Sequence, residues 1–509
     1  MSWKPEVEGI EGRRRAAREL GGADAVARQH ARKRLTVRER VAGLVDPGSL
    51  DEVGPIAGHA ETDESGALVS FTPANYVLAL GRLDGRPCVV GGEDFTQSGG
   101  SPSPAGLRKS VYAEELALHY RVPLVRFLEG AGGSVRGAGR GKAGAPGDPV
   151  YAPHRFVSIA RALETVPVVS AAVGAVAGLP AARLAASHFS VMTPSSQVLI
   201  AGPDLVERAL GERRTKEELG GPEVHLRSGV VDNLAADETE VFALIRRFLD
   251  YLPAHAGELP PERPAGDDPG RTDEALLALI PRNRRRVYDP RRLIAAVLDR
   301  DSFLELTPLC GRSQVTGLAR LDGTPVGVWA NDPSHQGGAM TAAGARKVRR
   351  FVALCETFHL PMVSLVDEPG FMIGAEAEAA ATIRHGVEAI AAVVRSTIPW
   401  VSVIVRRAYG VAAAAHFGPG GTVFTWPSAE SGALPIEGGV AVAFRREIAA
   451  APDPEKRRAE LEEELARRRT PFPAAEGFSV HDLIDPRTTR PTLCRWLGWT
   501  RPLLRRRVR

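Results

Sequence analysis

Short apolar runs rich in β-branched residues alternate along the chain with longer amphipathic stretches. Runs such as 124–128, 362–366 and 401–405 are bounded by turn residues and predict buried strands. The stretches 107–120 and 344–358 predict helices. Because the two patterns succeed one another along the chain, the sequence predicts an α/β fold.

One of these strands ends in a turn that could bind an anion. The strand at 401–405 is followed by Tyr409 and Gly410 and then by the alanine-rich stretch 411–415, which predicts a helix. The first N–H groups of a helix have no internal acceptor, so they can stabilise an anion or a developing oxyanion, assisted by the helix dipole. Considered alone, an ordinary buried corner between a strand and a helix is the simpler explanation.

The same corner occurs twice in the chain. Pro167 and Gly178 match Pro399 and Gly410 at a constant offset of 232 residues, and the upstream matches continue at an offset of 238. These upstream pairs include 82–85 with 320–323, Gly99 and Gly100 with Gly337 and Gly338, Arg108 and Lys109 with Arg346 and Lys347, and Gly132 with Gly370. Earlier still, and outside this offset, Asp46 and Ser49 parallel Asp299 and Ser302. So many glycine and proline coincidences indicate a tandem duplication of one α/β domain.

A proline-rich stretch separates the two copies. Residues 253–275 carry five prolines among acidic residues and glycines, which is typical of an inter-domain linker. We therefore expect an N-terminal domain at 1–252 and a C-terminal domain at 276–509. A chain of 509 residues is long enough for two such cores.

Composition narrows the class of function. The 65 basic and 61 acidic residues leave a net charge of +4, so neither nucleic acid nor an anionic membrane is expected as a partner. The four cysteines are dispersed without a C-x-x-C pair, which argues against a zinc ribbon or a disulfide framework. The first residues contain no apolar signal region, and the longest small-apolar run is interrupted by prolines. We expect a cytoplasmic protein without a membrane span.

Each half has a second strand end that leads into a glycine-containing turn, at 129–134 and at 367–371. Adjacent glycines let the backbone approach a ligand and direct successive N–H groups at one point. No nucleophile elbow, zinc-binding H-E-x-x-H or dinucleotide fingerprint accompanies them, and His385 and His416 are interpreted as structural. The expected device is therefore charge stabilisation by main-chain N–H groups, which suits a thioester enolate.

At the level of motifs the chain resembles the carboxyltransferase (β) subunit of biotin-dependent acyl-CoA carboxylases, the family of propionyl-CoA and methylcrotonyl-CoA carboxylase. The resemblance runs from about residue 10 to 500 in both halves. The residues that carry it are 27–32, 36–44, Gly132 and Gly133, 202–204, 217–221, His225, 228–230, Phe351, Val366 and Asp367, 369–371, 383–386 and 406–410.

This resemblance implies a tandem pair of crotonase-like (ClpP/crotonase) domains, each built from repeated ββα units. It also implies a homo-hexamer in which the first half of one subunit faces the second half of another. The implied catalytic donors are the N–H groups of Gly132 and Gly133 for the acyl-CoA thioester oxygen, and of Val411 and Ala412 for the ureido oxygen of carboxybiotin. Implied substrate-binding residues are Gly99, Gly100, Arg108, Lys109, Ala131, Ser134, Tyr409, Gly410, Ala413 and Ala414, and implied biotin-side residues are Gly337, Gly338, Pro369, Gly370 and Phe371.

The family's reaction needs a carboxyl donor that this chain does not carry. No methionine is followed by lysine, so the biotinyl acceptor motif does not occur, and no ATP-binding region is visible. The resemblance therefore implies a separate biotinylated α subunit, with biotin carboxylase and carrier protein, and coenzyme A as part of the substrate. In the family's mechanism carboxybiotin releases CO₂ and the biotin enolate removes the α-proton. No metal is expected.

Several positions depart from the family pattern. Gly410 is followed by Val411 and a run of alanines where the family usually has Gly-Ala-Tyr-Asp, so we expect a roomier, more apolar acyl pocket. Three alternatives remain open at this point: a biotin-dependent decarboxylase subunit, a non-catalytic scaffold subunit, and a hydratase or hydrolase of the crotonase type. The last would need Glu129, Asp367 or Glu368 as its acid or base.

Overall fold

The computed structural model describes residues 2–130, 132 and 156–508. It contains two compact units, which divide between Glu258 and Leu259. The boundary falls in the proline-rich stretch. From Leu259 onward this stretch packs on the second unit, where Arg320 donates to the Pro261 carbonyl at 3.0 Å and Arg490 to the Asp268 carbonyl at 2.8 Å.

The first unit combines short terminal helices with one large sheet. Its helices are α1 (Lys4–Arg18), α2 (Ala23–Ala31), α3 (Val37–Leu44), α4 (Pro104–Tyr120), α5 (Phe156–Thr165), α6 (Leu179–Ala185), α7 (Pro203–Leu210), α8 (Lys216–Gly220), α9 (Pro222–Ser228) and α10 (Glu238–Asp250). Its strands are β1 (Asp51–Glu52), β2 (Gly58–Thr62), β3 (Leu68–Pro73), β4 (Tyr76–Leu83), β5 (Arg86–Glu93), β6 (Leu124–Gly130), β7 (Val168–Ala177), β8 (Phe189–Met192), β9 (Gln197–Leu199) and β10 (Asn233–Leu234). A short 3₁₀ helix spans Ser98–Gly100.

The second unit repeats this order and ends in a longer helical region. Its helices are α11 (Leu276–Leu279), α12 (Pro290–Val297), α13 (Ala342–Thr357), α14 (Ala375–Ala379), α15 (Thr382–Arg395), α16 (Ile436–Ala443), α17 (Arg445–Ala450), α18 (Pro454–Arg468), α19 (Phe472–Glu476) and α20 (Thr489–Arg507). Its strands are β11 (Leu304–Leu306), β12 (Gln314–Leu321), β13 (Thr324–Asn331), β14 (Met362–Glu368), β15 (Trp400–Tyr409), β16 (Thr422–Thr425), β17 (Glu430–Gly432) and β18 (Asp482–Leu483). Short 3₁₀ helices span Gln336–Gly338, Ala412–His416 and Pro486–Thr488.

The two large sheets have the same topology. The strand order is β1-β4-β5-β6-β7-β8-β10 in the first and β11-β12-β13-β14-β15-β16-β18 in the second, with β9 paired to β7 and β17 to β15. In each, an antiparallel hairpin is followed by parallel strands. Strand for strand, the duplication predicted from the sequence is therefore present in the fold. The pair β2 and β3 forms a separate two-stranded sheet in the first unit.

The repeat extends to individual hydrogen bonds. Asp46 accepts from the N–H groups of Asp84 and Gly85, and Asp299 accepts from those of Asp322 and Gly323. In both hairpin turns the two central residues have positive φ, which an aspartate followed by glycine adopts at low cost. The same aspartate therefore fixes the same turn in each unit.

Each unit has its own apolar core. In the first, strand residues such as Leu78, Val89 and Leu124 pack against α4 and α5. In the second, the sheet packs against α12 and α20, and its buried residues include Leu293 and Trp426. Burying one such aliphatic side chain contributes about 1.5–3 kcal/mol. The turns at the carboxyl ends of the strands are therefore held by two rigid scaffolds. Among the described residues, no helix combines the length and the apolar character needed to cross a bilayer.

Candidate functional site

In the first unit two turns lie against each other at the carboxyl end of β6. Gly99 and Gly100 have φ values of 60° and 70°. A Cβ added at Gly100 would collide with the Glu129 carbonyl and the Gly130 Cα, so only glycine lets the backbones come this close. The structure thus brings the predicted Gly99 and Gly100 to the end of the strand that precedes Gly132.

Gly132 connects this turn to the corner after β7. It has a φ of 75°, and a Cβ there would lie 3.0 Å from the carbonyl oxygen of Ala177. Its own carbonyl accepts from the hydroxyl of Ser101 at 2.9 Å. The Gly100 turn, Gly132 and the Gly178 corner therefore meet at one place in this unit. The predicted Ala131, Gly133 and Ser134 lie outside the described residues.

A buried ion cluster holds the end of β6 from behind. The two oxygens of Glu129 accept from Arg40 at 2.6 Å, Gln29 at 2.8 Å and Arg34 at 3.1 Å. Arg40 also pairs with Glu238 at 2.6 Å, and the Arg40 and Glu129 side chains are almost completely buried. Both Glu129 oxygens are occupied, so this carboxylate anchors α3 to the sheet and is not placed to act as a base.

The predicted Arg108 and Lys109 line a cavity of about 790 Å³ beside α4 and α5. Its walls are largely apolar, with Leu78, Val111 and Val157 among the lining residues. Lys109 donates to the Gly54 carbonyl at 3.1 Å, and burial lowers the pKa of Lys109 to about 8. An apolar cavity with cationic groups at its edge can accept a molecule that has an apolar body and an anionic end.

In the second unit the corner after β15 differs from the prediction. Gly410 has a φ of 63° and its N–H donates to the Gly432 carbonyl at 3.0 Å, but Ala412–His416 is a five-residue 3₁₀ helix and not an α-helix. Gly418 and Pro419 follow so closely that a longer helix cannot form. The prediction that the dipole of an α-helix assists the N–H groups at this corner is therefore wrong.

The N–H groups at this corner nevertheless remain available. Within the described part of the chain, the N–H groups of Val411 and Ala412 have no hydrogen-bond acceptor. The Val411 side chain is 63% exposed, whereas Ala412 and Ala413 are buried and Ala414 is exposed. The corner can donate two adjacent N–H groups to an anionic oxygen.

The turn at Gly337 and Gly338 repeats the turn at Gly99 and Gly100. Its φ values are 64° and 86°, and the Gly337 carbonyl accepts from Arg407 at 2.8 Å. Arg407 also pairs with the buried Asp367 at 2.5 Å. Arg407 therefore joins this turn to the end of β14, immediately before the predicted biotin-side residues.

The biotin-side turn itself is fixed by Glu368 and Phe371. The N–H of Gly370 donates to Glu368 Oε1 at 3.0 Å, and Phe371 forms a parallel bridge with Met340. The Phe371 ring also lies on α15 at Gly386, where an added Cβ would collide with it. Pro369, Gly370 and Phe371 are partly exposed, so the turn is held by buried groups but open on its other side.

The hydroxyl of Tyr409 points into a charged cluster. It donates to Glu430 Oε2 at 2.8 Å, the same oxygen that Arg284 contacts at 2.6 Å, and the Arg469 guanidinium lies 5.8 Å from the ring centroid. Burial, reinforced by Glu430, raises the pKa of Tyr409 to about 12. Because its hydroxyl is engaged and the whole residue is buried, the predicted substrate contact of Tyr409 is not supported by an exposed group in this structure.

Comparison with known proteins agrees with this geometry. The carboxyl transferase domain family matches residues 28–501. This chain belongs to that family. A propionyl-CoA carboxylase beta chain of Roseobacter denitrificans is 34% identical and covers 97% of this chain and 96% of the relative. A methylmalonyl-CoA decarboxylase subunit alpha of Veillonella parvula is 32% identical, with 93% and 91% covered.

A crystal structure of a transcarboxylase 12S hexamer with methylmalonyl-coenzyme A superposes with a TM-score of 0.87 at 31% identity, over 98% of this chain and 95% of the other. The predicted resemblance and the crotonase-like fold are confirmed. The chain is an acyl-CoA carboxyltransferase of the biotin-dependent carboxylase family.

In this carboxyltransferase the three carboxylates that a hydratase could use are engaged. Glu129 and Asp367 are ion-paired with arginines, and Glu368 accepts main-chain N–H groups; all three are fully buried. Burial raises the pKa of Glu368 to about 8. None of them presents a free, exposed oxygen, so the geometry does not support a hydratase or hydrolase.

Ser364 carried no signal in the sequence, and Arg407, although it lies in the motif 406–410, was not predicted as a site residue. Arg407 and Ser364 acquire their roles only through contacts between strands, with Asp367 and His416 respectively. His416, which was predicted to be structural, is buried and lies within hydrogen-bond distance of Ser364, at 2.8 Å. Among residues 2–130, 132 and 156–508, no group of three or more His, Cys, Asp or Glu side chains is arranged to hold a metal ion.

Proposed function

We propose that this chain carries out the carboxyltransferase half-reaction of an acyl-CoA carboxylase. The carboxyl group moves from carboxybiotin on a separate biotinylated subunit to the α-carbon, or the vinylogous position, of an acyl-CoA. The observation that carries this proposal is the corner after β15. There, two adjacent main-chain N–H groups have no acceptor among the described residues, while the neighbouring carboxylates are engaged.

The chain's role in this mechanism is to stabilise charge. The N–H groups of Gly132 and Gly133 hold the thioester oxygen of the acyl-CoA as the enolate forms. Those of Val411 and Ala412 hold the ureido oxygen of biotin. Removing one oxyanion donor typically lowers kcat by about 10²–10³. Bound biotin would supply the base for the α-proton, and the three buried, engaged carboxylates near the turns would take no part in that proton transfer.

The two halves have different substrates in this proposal. Residues 1–252 hold the acyl-CoA, with Arg108 and Lys109 at the edge of the cavity beside α4. Residues 276–509 receive carboxybiotin at the turn of Pro369, Gly370 and Phe371. The active subunits form a homo-hexamer, in which the first half of one chain faces the second half of another. The hexamer is supported by the related transcarboxylase 12S protein, whose crystal structure is a hexamer assembly.

The acyl pocket is proposed to accept longer or branched chains. Ala413 and Ala414 replace the larger tyrosine and aspartate of the family pattern, and small apolar side chains leave volume that an acyl group can fill. A panel of acyl-CoAs, assayed with the co-purifying biotin subunit, should show higher kcat/KM for acyl groups larger than acetyl. A strict preference for acetyl-CoA would refute this part of the proposal.

Val411→Pro tests the donor assignment directly. Val411 has a φ of −68°, which proline adopts, so the substitution removes one N–H group with little strain from this residue's own φ. We expect kcat for transfer from methylmalonyl-CoA to free biotin to fall about 10²–10³-fold. Val411→Ala is the matched control, because it removes the exposed side chain and keeps the N–H. Activity of Val411→Pro within severalfold of the control would show that this N–H is not a donor.

A second candidate is the same half-reaction in the direction of decarboxylation. It is favoured by the relative from Veillonella parvula, which is named as a decarboxylase subunit. The assay with free biotin detects both functions, whereas the co-purifying subunits distinguish them: a biotin carboxylase supports carboxylation and a membrane pump supports decarboxylation.

A further inference from the structure

A buried carboxyl group and a buried imidazole face each other behind the corner of the second unit. Glu368 ends β14 and His416 ends the 3₁₀ helix Ala412–His416; their Oε2 and Nε2 atoms are 3.6 Å apart, and neither side chain is exposed. Within the described residues, His416 Nε2 has no hydrogen-bond partner. Burying an unpaired polar atom costs free energy, so the unpaired Nε2 atom of His416 beside a buried carboxyl group needs an explanation.

The carboxyl group of Glu368 connects three segments. Its Oε1 atom accepts from the N–H groups of Gly370 at 3.0 Å and Met340 at 3.2 Å. Its Oε2 atom accepts from the Asn331 side chain of β13 at 3.0 Å. Any change in the position of this carboxyl group therefore moves the Gly370 turn.

The ring of His416 is held equally firmly. Its Nδ1 atom is 2.8 Å from the hydroxyl of Ser364, and the ring stacks on Trp329 with the centroids 3.7 Å apart. The His416 carbonyl also accepts from the indole N–H of Trp400 at 2.8 Å. Because His416 is the last residue of the short helix, a shift of this ring moves the helix that begins next to Val411.

The two groups face each other as a neutral pair. Burial raises the pKa of Glu368 to about 8 and lowers that of His416 to about 3, so at neutral pH the carboxyl is protonated and the imidazole is not charged. The nearest other charges are Asp367 and Arg407, which pair with each other.

The duplication shows that the fold does not require this pair. At the offsets that relate the two units, the equivalents of Glu368 and His416 are Gly130 and Leu184, and Arg126 stands in place of Ser364. The first unit nevertheless has the same strand order and a glycine with positive φ at the same corner. A purely structural role would be expected in both copies.

We propose that Glu368 and His416 are positioning residues that couple the Gly370 turn to the 3₁₀ helix and so fix the direction of the N–H groups of Val411 and Ala412. This inference rests on the proposed function, in which those N–H groups hold the ureido oxygen of biotin. The pair acts through the backbone and touches neither substrate.

The test measures transfer from methylmalonyl-CoA to free biotin by the full chain, with each substrate varied separately. Glu368→Gln and His416→Leu should each lower kcat/KM for biotin at least tenfold and leave the KM for methylmalonyl-CoA within twofold. The loss of kcat/KM for biotin in the double variant should be no larger than in the more impaired single variant, because both changes break the same coupling. Thr489→Val is the control: it removes the equally buried bond from Trp426 to Thr489 (3.0 Å), and its kinetics should stay within twofold of wild type.

Three outcomes would overturn the inference. The losses of kcat/KM for biotin in the two single variants could add up in the double variant, or the kinetic constants for both substrates could worsen in parallel. The third outcome is a kcat/KM for biotin within threefold of wild type in the single variants. If His416→Leu does not fold, Ser364→Ala tests the same link from the other side of the ring. A folded wild type without transfer would refute the proposed function instead.

Amide hydrogen exchange tests the coupling between the two segments independently of enzyme activity. Glu368→Gln should accelerate exchange in peptides covering 409–417, and His416→Leu in peptides covering 367–374. Acceleration confined to the peptide that contains the substitution would overturn the coupling.

Discussion

Single glycines in this carboxyltransferase stand where one turn has to touch another. Gly100 lies directly on the carbonyl of Glu129. At Gly99, its neighbour with a similar φ, an added Cβ would meet only the Phe95 ring, at an ordinary contact distance of 3.9 Å. Substituting alanine at each position therefore distinguishes the free-energy cost of a positive φ, which both share, from the cost of a steric clash, which only Gly100 has.

Gly100→Ala should destabilise the protein more than Gly99→Ala. Both variants place a non-glycine residue at positive φ, which costs about 1–2 kcal/mol. Only at Gly100 does the new Cβ meet the backbone of Glu129 and Gly130, and such overpacking adds about 1–3 kcal/mol. Thermal unfolding of the two variants measures the difference. Equal melting temperatures would show that the turn moves away from β6 freely.

The buried acid Glu368 should make stability depend on pH in a specific direction. In the folded protein burial raises the pKa of Glu368 to about 8 from its ordinary value of 4.5. A carboxyl group whose pKa is raised on folding contributes its full stability below the unfolded pKa, and this contribution is lost as the pH rises through the folded pKa. The melting temperature of wild type relative to Glu368→Gln should therefore fall between about pH 5 and pH 8 and then level off. A difference that does not change with pH would mean that Glu368 is ionised throughout.

At the scale of secondary-structure elements, buried ion pairs tie helices to the ends of strands. Arg40 of α3 contacts both Glu129 of β6 and Glu238 of α10, so one guanidinium joins three elements behind the Gly132 turn. The surface pair of Arg213 with Glu207 joins nothing buried.

Arg40→Met should destabilise the first unit strongly. The substitution leaves Glu129 and Glu238 without their shared partner, and breaking a buried pair from one side costs about 3–5 kcal/mol. Arg213→Ala, on an exposed pair, should change the free energy of unfolding by no more than about 1 kcal/mol. Chemical denaturation compares the two variants with wild type. If Arg40→Met and Arg213→Ala changed the free energy of unfolding by similarly small amounts, Gln29 and Arg34 alone would suffice to hold Glu129.

The elements also show how far sequence reasoning reaches. The repeated hairpin with Asp46 and Asp299 and the strand ends at Gly132 and Gly410 could be predicted, because glycine and aspartate mark turns locally. The form of the helix after Gly410 could not, since an alanine run favours an α-helix and only the nearby Pro419 shortens it. Nor could the partners of Glu368, because they come from strands that are distant in sequence.

At the scale of the whole molecule, the proposed function assigns a different substrate to each of two copies of one scaffold. We propose that each active site takes its acyl-CoA side from one subunit and its biotin side from another. Closed oligomers often share sites in this way, and a site shared between subunits can be rebuilt from two defective chains.

Mixed hexamers of Gly132→Val and Val411→Pro should recover activity. Gly132→Val disrupts the acyl-CoA side because of its φ of 75° and the nearby Ala177 carbonyl, and Val411→Pro removes a donor on the biotin side. With equal amounts and random assembly, a shared site is intact on both sides about one time in four, so about a quarter of wild-type activity is expected. Each variant alone is the control. No recovery in hexamers shown to be mixed would place both sides of the site in one chain.

The unequal chemistry behind the two matching corners has a consequence for how such enzymes diversify. Where the second copy buries Glu368 and His416, the first has only Gly130 and Leu184, yet both keep the same arrangement of strands. After the ancestral gene doubled, each copy was free to drift under its own selection. In the proposed function the second copy also shapes the acyl pocket through Ala413 and Ala414, so new acyl groups can be recruited by side-chain changes there while the main-chain donors that hold biotin are inherited unchanged.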